Sequence, residues 1–242
     1  MEKNNLIIHI KDICFSYAGS SPVLDKLNLK LNSGDRFGLM GPNGSGKTTL
    51  FHVIMGLLKP TSGSIEIYNR PARTEKDFRK IRRKIGLLFQ DADDQLFSPT
   101  VLEDVAFGPL NLGKSQNEAV EIAINTLKFL GLAGFEDRIT YKLSGGEKKL
   151  VSLATVLAMQ PEVLLMDEPT SGLDDKTKAI LKRVLSDLDL TYILISHEIE
   201  FLTEITDSIY TMNNGRIHFD QKVQVHQHVH AHPHGAYAHE HD

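Results

Sequence analysis

The sequence has one cysteine, Cys14, no tryptophan and no long apolar run in its 242 residues. A single cysteine excludes an internal disulfide and a cysteine zinc finger, and it fits a reducing compartment. The longest apolar stretch, from Ser152 to Met166, is interrupted at positions 160–162 and falls well short of the ~20 residues of a membrane helix. We therefore expect any work at a membrane to depend on partner proteins.

An excess of basic residues is also absent. Lysine and arginine number 27 against 31 acidic residues, a net charge of -4, so no bulk positive field marks a nucleic-acid-binding protein. Hydrophobic residues make up 41% and charged residues 24%, which excludes a disordered or fibrous chain. Histidine is the unusual residue, with 11 copies.

Turn residues divide the chain into a β-rich start, a helical middle and a second region of alternating strands and helices. The alternation predicts an α/β fold whose parallel strands are joined by crossover helices. The helical segment, about 91–160, is interpreted as an insertion in that fold. After about Lys222 the composition changes to histidine, glutamine, alanine and valine. We predict one domain at 1–221 and a disordered, histidine-rich tail at 222–242.

A glycine-rich loop lies between a short apolar strand, Arg36–Met40, and a helix-like stretch, Thr48–Leu58. It fits G-x-x-x-x-G-K-[ST] and consists of Gly41, Pro42, Asn43, Gly44, Ser45, Gly46, Lys47 and Thr48. In such a phosphate loop, backbone N–H groups and a helix N-terminus face phosphate oxygens. We expect Lys47 to bind the β- and γ-phosphates and Thr48 to ligate Mg²⁺. The alternative, a turn without a ligand, is disfavoured by the strand–loop–helix context.

Two adjacent carboxylates follow an apolar strand that begins at Val163. An aspartate at the end of a buried parallel strand projects into the crevice where such folds bind ligands. We expect Asp167 to hold the metal through water, and Glu168 to orient or deprotonate an attacking water. The same residues could simply cap a helix, but their combination with a phosphate loop favours the catalytic interpretation.

The segment Ser144-Gly145-Gly146-Glu147, called here the signature, has two interpretations. Ser144 and Glu147 have the spacing of a capping box at a helix start. The paired glycines suit a cap poorly, because each weakens a helix by up to ~1 kcal/mol relative to alanine, and they suit the close approach of a phosphate. A second phosphate-binding element on one chain predicts a nucleotide held between two copies.

Together these motifs resemble the ATP-binding-cassette (ABC) ATPases, over roughly residues 6 to 220. The resemblance implies a P-loop NTPase fold with a mixed or parallel sheet core, an antiparallel β subdomain and an inserted helical subdomain. It also implies an ATPase that uses ATP and Mg²⁺. In that family each ATP lies between the phosphate loop of one protomer and the signature of a second.

The same resemblance implies roles for residues outside the three motifs. Gln90 matches a glutamine that senses the metal and the transmembrane partner, and Asp174 belongs to a loop that crosses the dimer. His197 matches a histidine that reads the γ-phosphate, beside Lys47 and Glu168 in catalysis. Tyr17 matches the aromatic residue that stacks on adenine, and Thr49 joins the nucleotide-binding set. From the residues alone, His197 could be a polar strand end and Tyr17 a half-exposed strand side chain.

Segments 89–97 and 101–109 resemble the energy-coupling-factor branch, whose ATPases serve importers of vitamins and of cobalt or nickel. The cobalt/nickel members are the nearest likeness. This implies a peripheral protein at the cytoplasmic face of the cell membrane that binds no nucleic acid. Its partners would be a transmembrane coupling subunit, a substrate-specific membrane component, and a second copy or a homologous ATPase. Lys148-Lys149-Leu150 departs from the commoner Gln-x-Arg after the signature.

The predicted tail carries seven histidines: His226, His228, His230, His232, His234, His239 and His241. Imidazole suits Ni²⁺, Co²⁺, Zn²⁺ and Cu²⁺, and alternate residues of an extended segment can converge on one ion. We expect transient binding there, with Ni²⁺ or Co²⁺ favoured by the family likeness. A solvated terminus without metal is the alternative.

Three other functions remain open from the sequence: the ATPase of a vitamin importer, a soluble ABC protein of DNA repair or translation, and a metal-storing protein. The sequence shows no long coiled-coil insertion, no second cassette and no basic excess, which counts against the soluble ABC protein.

Overall fold

The computed structural model describes residues 5–218, so the predicted tail with its seven histidines lies outside the described residues. The described chain forms ten strands and seven α-helices. The strands are β1 (Leu6–Phe15), β2 (Leu24–Asn32), β3 (Arg36–Met40), β4 (Ser62–Ile67), β5 (Arg70–Pro71), β6 (Ile85–Leu88), β7 (Val163–Asp167), β8 (Thr191–Ile195), β9 (Ser208–Asn213) and β10 (Arg216–His218). The helices are α1 (Lys47–Ile54), α2 (Glu75–Ile81), α3 (Val101–Asn111), α4 (Gln116–Phe129), α5 (Gly145–Leu157), α6 (Asp175–Asp187) and α7 (Ile199–Ile205).

Two sheets organise the domain. The central sheet has the order β10-β9-β3-β8-β7-β6, and its pairs are parallel from β9 to β6. The smaller sheet has the order β2-β1-β4-β5 and is antiparallel. Helices α3 and α4 lie between β6 and α5 in the chain, as the predicted helical insertion requires. The predicted fold is confirmed, and the carboxyl ends of five parallel strands meet at one edge.

The central strands are buried on both faces, because successive side chains point to opposite sides of a sheet. On β7, Val163 and Leu165 pack into a core shared with the antiparallel sheet and α1. Leu164 and Met166 pack into a second core with residues of α3 to α7. Both faces of the sheet are therefore covered, and the carboxyl ends of its strands are the expected place for a ligand.

Helix α1 ends earlier than the sequence pattern predicts. The apolar run continues to Leu58, but α1 stops at Ile54 with Met55 as its C-cap. Gly56 follows with φ 68°, the left-handed conformation typical of a helix end. A Cβ at Gly56 would lie 2.2 Å from Cγ of Phe78, so the ring of Phe78 leaves no room for a side chain at this helix end.

Within residues 5–218, no helix is both long enough and apolar enough to cross a lipid bilayer.

Candidate active site

A cavity of about 870 Å³ lies at the carboxyl edge of the central sheet. Predicted site residues lie at or within two residues of the ends of four of these strands: the phosphate loop after β3, Gln90 after β6, Asp167 and Glu168 at β7, and His197 after β8. The lining includes Tyr17, residues 43–49, Gln90, Asp167, Glu168 and His197. The parallel topology thus brings most of the predicted nucleotide site together.

The phosphate loop, residues 41–48, curls tightly because two of its glycines have no room for a side chain. A Cβ on Gly41 would lie 2.2 Å from the carbonyl oxygen of Met212. A Cβ on Gly46 would lie 2.7 Å from that of Val23. Gly46 also has φ 104°, which L side chains rarely adopt. Glycine is therefore required at both positions for the loop to take this shape.

Lys47 and Ser45 supply polar groups to this loop. Lys47 is buried, and its Nζ donates to the carbonyl oxygens of Gly41, at 2.8 Å, and Pro42, at 3.1 Å. Burial lowers the pKa of Lys47, while the charges of Glu168 and Asp167 oppose that shift. Ser45 Oγ is buried without a hydrogen-bond partner in the described part of the chain. An ammonium and an unpaired hydroxyl on one loop fit a phosphate ligand.

Asp167, Thr48 and Gln90 supply oxygen donors to one side of the cavity. Asp167 is only 3% exposed. Burial raises the pKa of Asp167, and a hydrogen bond from the Thr48 side chain opposes that shift. A buried carboxylate beside a hydroxyl and an amide oxygen is a set of hard donors of the kind that Mg²⁺ takes. These residues therefore fit the predicted metal, together with phosphate oxygens of a nucleotide.

Glu168 faces the same cavity from the first position after β7. Its φ of 47° turns the chain sharply at the strand end, and its side chain is 13% exposed. Glu168 Oε1 lies 3.3 Å from His197 Nε2. Burial raises the pKa of Glu168, and the interaction with His197 opposes that shift. A carboxylate so placed has the raised proton affinity that suits a general base.

Tyr17 stands at the cavity mouth. It is 47% exposed, and its ring meets that of Phe15 edge-on with centroids 4.9 Å apart. Its hydroxyl lies 3.3 Å from Thr49 Oγ1. These two contacts hold the Tyr17 ring beside the phosphate loop. Stacking of adenine on this ring stays a prediction.

The signature and Asp174 lie outside this cavity. The predicted capping box is present: Glu147 N donates to Ser144 Oγ at 3.3 Å, and Ser144 N donates to a carboxylate oxygen of Glu147 at 2.8 Å. Glu147 also pairs with Arg138 at 2.7 Å. Asp174 caps α6 by accepting from Thr177 N at 2.8 Å. It stays a prediction that the signature, with Gly145 and Gly146, and Asp174 contact a nucleotide bound to a second copy.

The sequence does not point to two residues at the site: Val23, which lines the cavity, and Lys149, which is buried and bonds to the main chain at Gln90. Ser171, which the resemblance places in the loop that crosses the dimer, also lines the cavity. The signal for Lys149 was present, because a lysine on the apolar side of a helix must find polar partners.

A parallel sheet with a phosphate loop after one strand and carboxylates after another defines a P-loop nucleoside triphosphatase. Comparison with known proteins identifies the particular family. The ABC transporter family matches residues 24–171, and the chain belongs to that family.

Relatives and solved structures agree with this assignment. The chain is 42% identical over 215 residues to the energy-coupling factor transporter ATP-binding protein EcfA of Methanothermobacter thermautotrophicus, covering 87% of this chain and 69% of that protein. It superposes on cbiO1 of Clostridium perfringens, part of the ABC transporter complex cbiONQ, with a TM-score of 0.79 at 36% identity, covering 88% and 87% of the two chains. It superposes on the cassette MJ0796, a dimer bound to ADP and Pi, with a TM-score of 0.81 at 29% identity, covering 91% and 100%.

These similarities confirm the predicted likeness to the energy-coupling-factor branch and the predicted ATPase. The chain is the ATP-binding subunit of an ABC transporter, and ATP hydrolysis is coupled to transport. Its homologues work with transmembrane components and dimerise.

Proposed function

We propose that this chain energises a cobalt or nickel importer of the energy-coupling-factor type. The observation that carries the hydrolytic part is the convergence of Lys47, Asp167 and Glu168 on one cavity. The choice of ion is supported by the likeness of segments 89–97 and 101–109 to cobalt/nickel members and by the seven histidines between 226 and 241.

The cavity supports hydrolysis of ATP by direct attack of water on the γ-phosphorus. Glu168 accepts a proton from the water as its oxygen bonds to phosphorus and the bond to the β–γ bridging oxygen breaks, giving ADP and phosphate. Lys47 and the backbone N–H groups of the phosphate loop bind the charged oxygens. Mg²⁺, when held by Thr48, Gln90 and Asp167, neutralises phosphate charge. His197, beside Glu168, orients that carboxylate and contacts the γ-phosphate.

The signature supports a second contact to ATP across a dimer. Ser144 and Gly145 are exposed at the start of α5, where free N–H groups and the helix dipole favour an anion. They do not line the cavity that holds the phosphate loop, and the resemblance to ABC ATPases supports the ATP of a second copy or of a homologous ATPase as their ligand. Asp174 then lies in the loop that crosses the interface.

An exposed aromatic pair supports docking of a transmembrane coupling subunit. Phe97 and Phe107 are 67% and 46% exposed, and their rings meet edge-on with centroids 4.8 Å apart. Leu110, on the same helix α3, is 44% exposed. The surface made by these three side chains belongs to the segment that follows Gln90, so a helix packed there would sense movement of Gln90. This docking would hold the chain at the cytoplasmic face of the membrane.

Glu168→Gln tests the hydrolytic assignment. We expect ATP binding to be retained and kcat to fall by about 10²–10⁴-fold, the contribution of a general base, with ATP trapping a dimer. Phosphate release and light scattering measure the two effects. Glu200→Gln, an exposed glutamate on α7, is the matched control and keeps normal turnover. Normal turnover of Glu168→Gln would contradict the assignment.

Uptake of Ni²⁺ and Co²⁺, measured separately in cells with and without the transporter genes, tests the substrate. A vitamin arm in the same assay covers the alternative importer. Removal of residues 223–242 should leave ATP hydrolysis intact and lower binding of Ni²⁺ measured by calorimetry. Uptake of a vitamin and of neither ion would overturn the choice of metal.

A further inference from the structure

Lys149 is a lysine that points into the protein instead of into solvent. It lies on α5, one turn after the signature, and is 5% exposed. Its Nζ donates to the backbone carbonyl oxygens of Gln90 and of Phe89, the latter at 3.4 Å. Within residues 5–218 it forms no ion pair with a carboxylate. Its hydrogen bonds therefore go to the main chain at the end of β6.

The buried ammonium is costly for folding alone. Burial lowers the pKa of Lys149, while the charges of Asp91, Asp167 and Glu168 oppose that shift. Hydrogen bonds to backbone oxygens offset only part of the cost of burying a charge. The neighbouring Lys148 differs, since it pairs with the exposed carboxylate of Asp93 at 2.5 Å. Stability alone therefore gives little reason for a lysine at position 149.

The contacts of Lys149 join two parts of the site. Lys149 belongs to α5, whose first residues are part of the signature. Its hydrogen bonds end at Phe89 and Gln90, and Gln90 is the residue predicted to sense the metal and the transmembrane partner. We infer that Lys149 is a positioning residue for ATP hydrolysis: by holding the main chain at Phe89 and Gln90, it aims the Gln90 side chain at the cavity. The orientation of Gln90 then depends on where α5 lies.

This inference rests on the role proposed above for Gln90. If the signature contacts the ATP of a second copy, α5 is moved by that ATP, and Lys149 passes the displacement to Gln90 in its own chain. One nucleotide site would then adjust the other through a single side chain. A merely structural lysine would not have this effect, because its loss would change unfolding and leave turnover alone.

Lys149→Met tests the inference in the full-length protein. The change removes the donor and keeps an unbranched side chain that fills irregular apolar space. Since a misplacement of ~1 Å near a reacting centre can cost up to about 10²-fold in rate, we expect kcat to fall about tenfold. The Kd for ATP should stay close to wild type, and more Mg²⁺ should be needed for half-maximal turnover. Loss of the hydrogen bonds to two backbone carbonyls should lower the melting temperature by a few degrees.

Three further variants complete the test. Lys149→Arg keeps a cationic donor and should recover at least a third of wild-type kcat; Lys149→Gln keeps a neutral donor and should be intermediate. These two also decide the matter if Lys149→Met does not fold. Lys148→Met breaks only the surface pair with Asp93, so it is the matched control and should stay within twofold of wild type.

The double variant Gln90→Ala/Lys149→Met separates this inference from its premise. Residues that act as one unit give non-additive effects, so the double variant should turn over no more slowly than Gln90→Ala alone. Multiplied effects, or wild-type kcat in Lys149→Met, would overturn the inference and leave the ATPase assignment standing. Wild-type kcat in Gln90→Ala would remove the premise, while the loss in Glu168→Gln would still support hydrolysis.

Discussion

Two glycines of the phosphate loop offer a matched pair of substitutions, because both have positive φ and only one is crowded. Gly44 has φ 78° and open space for 4 Å around the position that a Cβ would take, whereas Gly46 has φ 104° and a Cβ there would lie 2.7 Å from Val23 O. Val23 O is backbone and cannot move aside as a side-chain end would. We therefore predict that Gly46→Ala destabilises the protein much more than Gly44→Ala.

The magnitudes follow from two separate costs. A left-handed conformation costs an alanine about 1 kcal/mol, which is the whole cost at Gly44. Overpacking against fixed neighbours adds about 2 kcal/mol, so Gly46→Ala should lose about 3 kcal/mol. At about 3 °C per kcal/mol for a chain of this length, the melting temperatures should fall by about 3 °C and about 9 °C respectively.

Thermal unfolding without nucleotide measures these shifts, because bound ATP would add its own stabilisation. Binding of a fluorescent ATP analogue should be lost in Gly46→Ala, since the loop must shift to make room. Equal losses of melting temperature in the two variants would refute the argument that the contact with Val23 O shapes the loop.

Three further predictions concern Asp104 and Arg138, two residues outside the cavity. Asp104 is 2% exposed and accepts from the backbone N–H groups of Phe97 and Ser98, so Asp104→Ala should cost about 2 kcal/mol in urea denaturation by leaving buried donors unpaired. Burial raises the pKa of Asp104, so the folded chain binds a proton at this carboxyl more tightly than the unfolded chain does. The free energy of unfolding should therefore fall as pH rises from about 4 towards the raised pKa. Asp104→Asn should flatten that pH dependence, and an unchanged slope would contradict the argument. Arg138→Ala removes a half-exposed pair with Glu147 and should cost about 0.5 kcal/mol at low salt and less at high salt, whereas a salt-independent loss would show that the pair is not the cause.

Much of the nucleotide site could be predicted because its residues follow strand ends. Gly41, Asp167 and His197 are separated by long stretches of sequence, yet each lies at the end of a strand of the same parallel sheet or within two residues of it, and Lys47 ends the loop that Gly41 begins. The periodicity identifies the strands, and the parallel topology then brings their carboxyl ends together. Side-chain packing does not enter this part of the prediction.

Features that depend on tertiary partners were not predictable in the same way. Helix α1 ends just before Gly56, whose missing side chain leaves room for the ring of Phe78, a residue more than 20 positions away. Strand β4 begins at Ser62, before the apolar residues, because Ser62 and Ser64 pair with β1. The sequence shows Lys149 only as a departure from the usual signature, since its partners are backbone oxygens that no sequence pattern identifies.

Strand β3 cannot be completed as part of the central sheet until late in synthesis of the chain. Its neighbours on the two sides are β8 and β9, and both are synthesised more than 150 residues after β3, since they begin at Thr191 and Ser208. The wall of the phosphate loop at Gly41 includes Met212 of β9. A nascent chain that has emerged only as far as the signature therefore carries the complete phosphate-loop sequence but lacks the backbone of β9 that packs against Gly41. The final shape of the phosphate loop therefore depends on one of the last described strands to be synthesised.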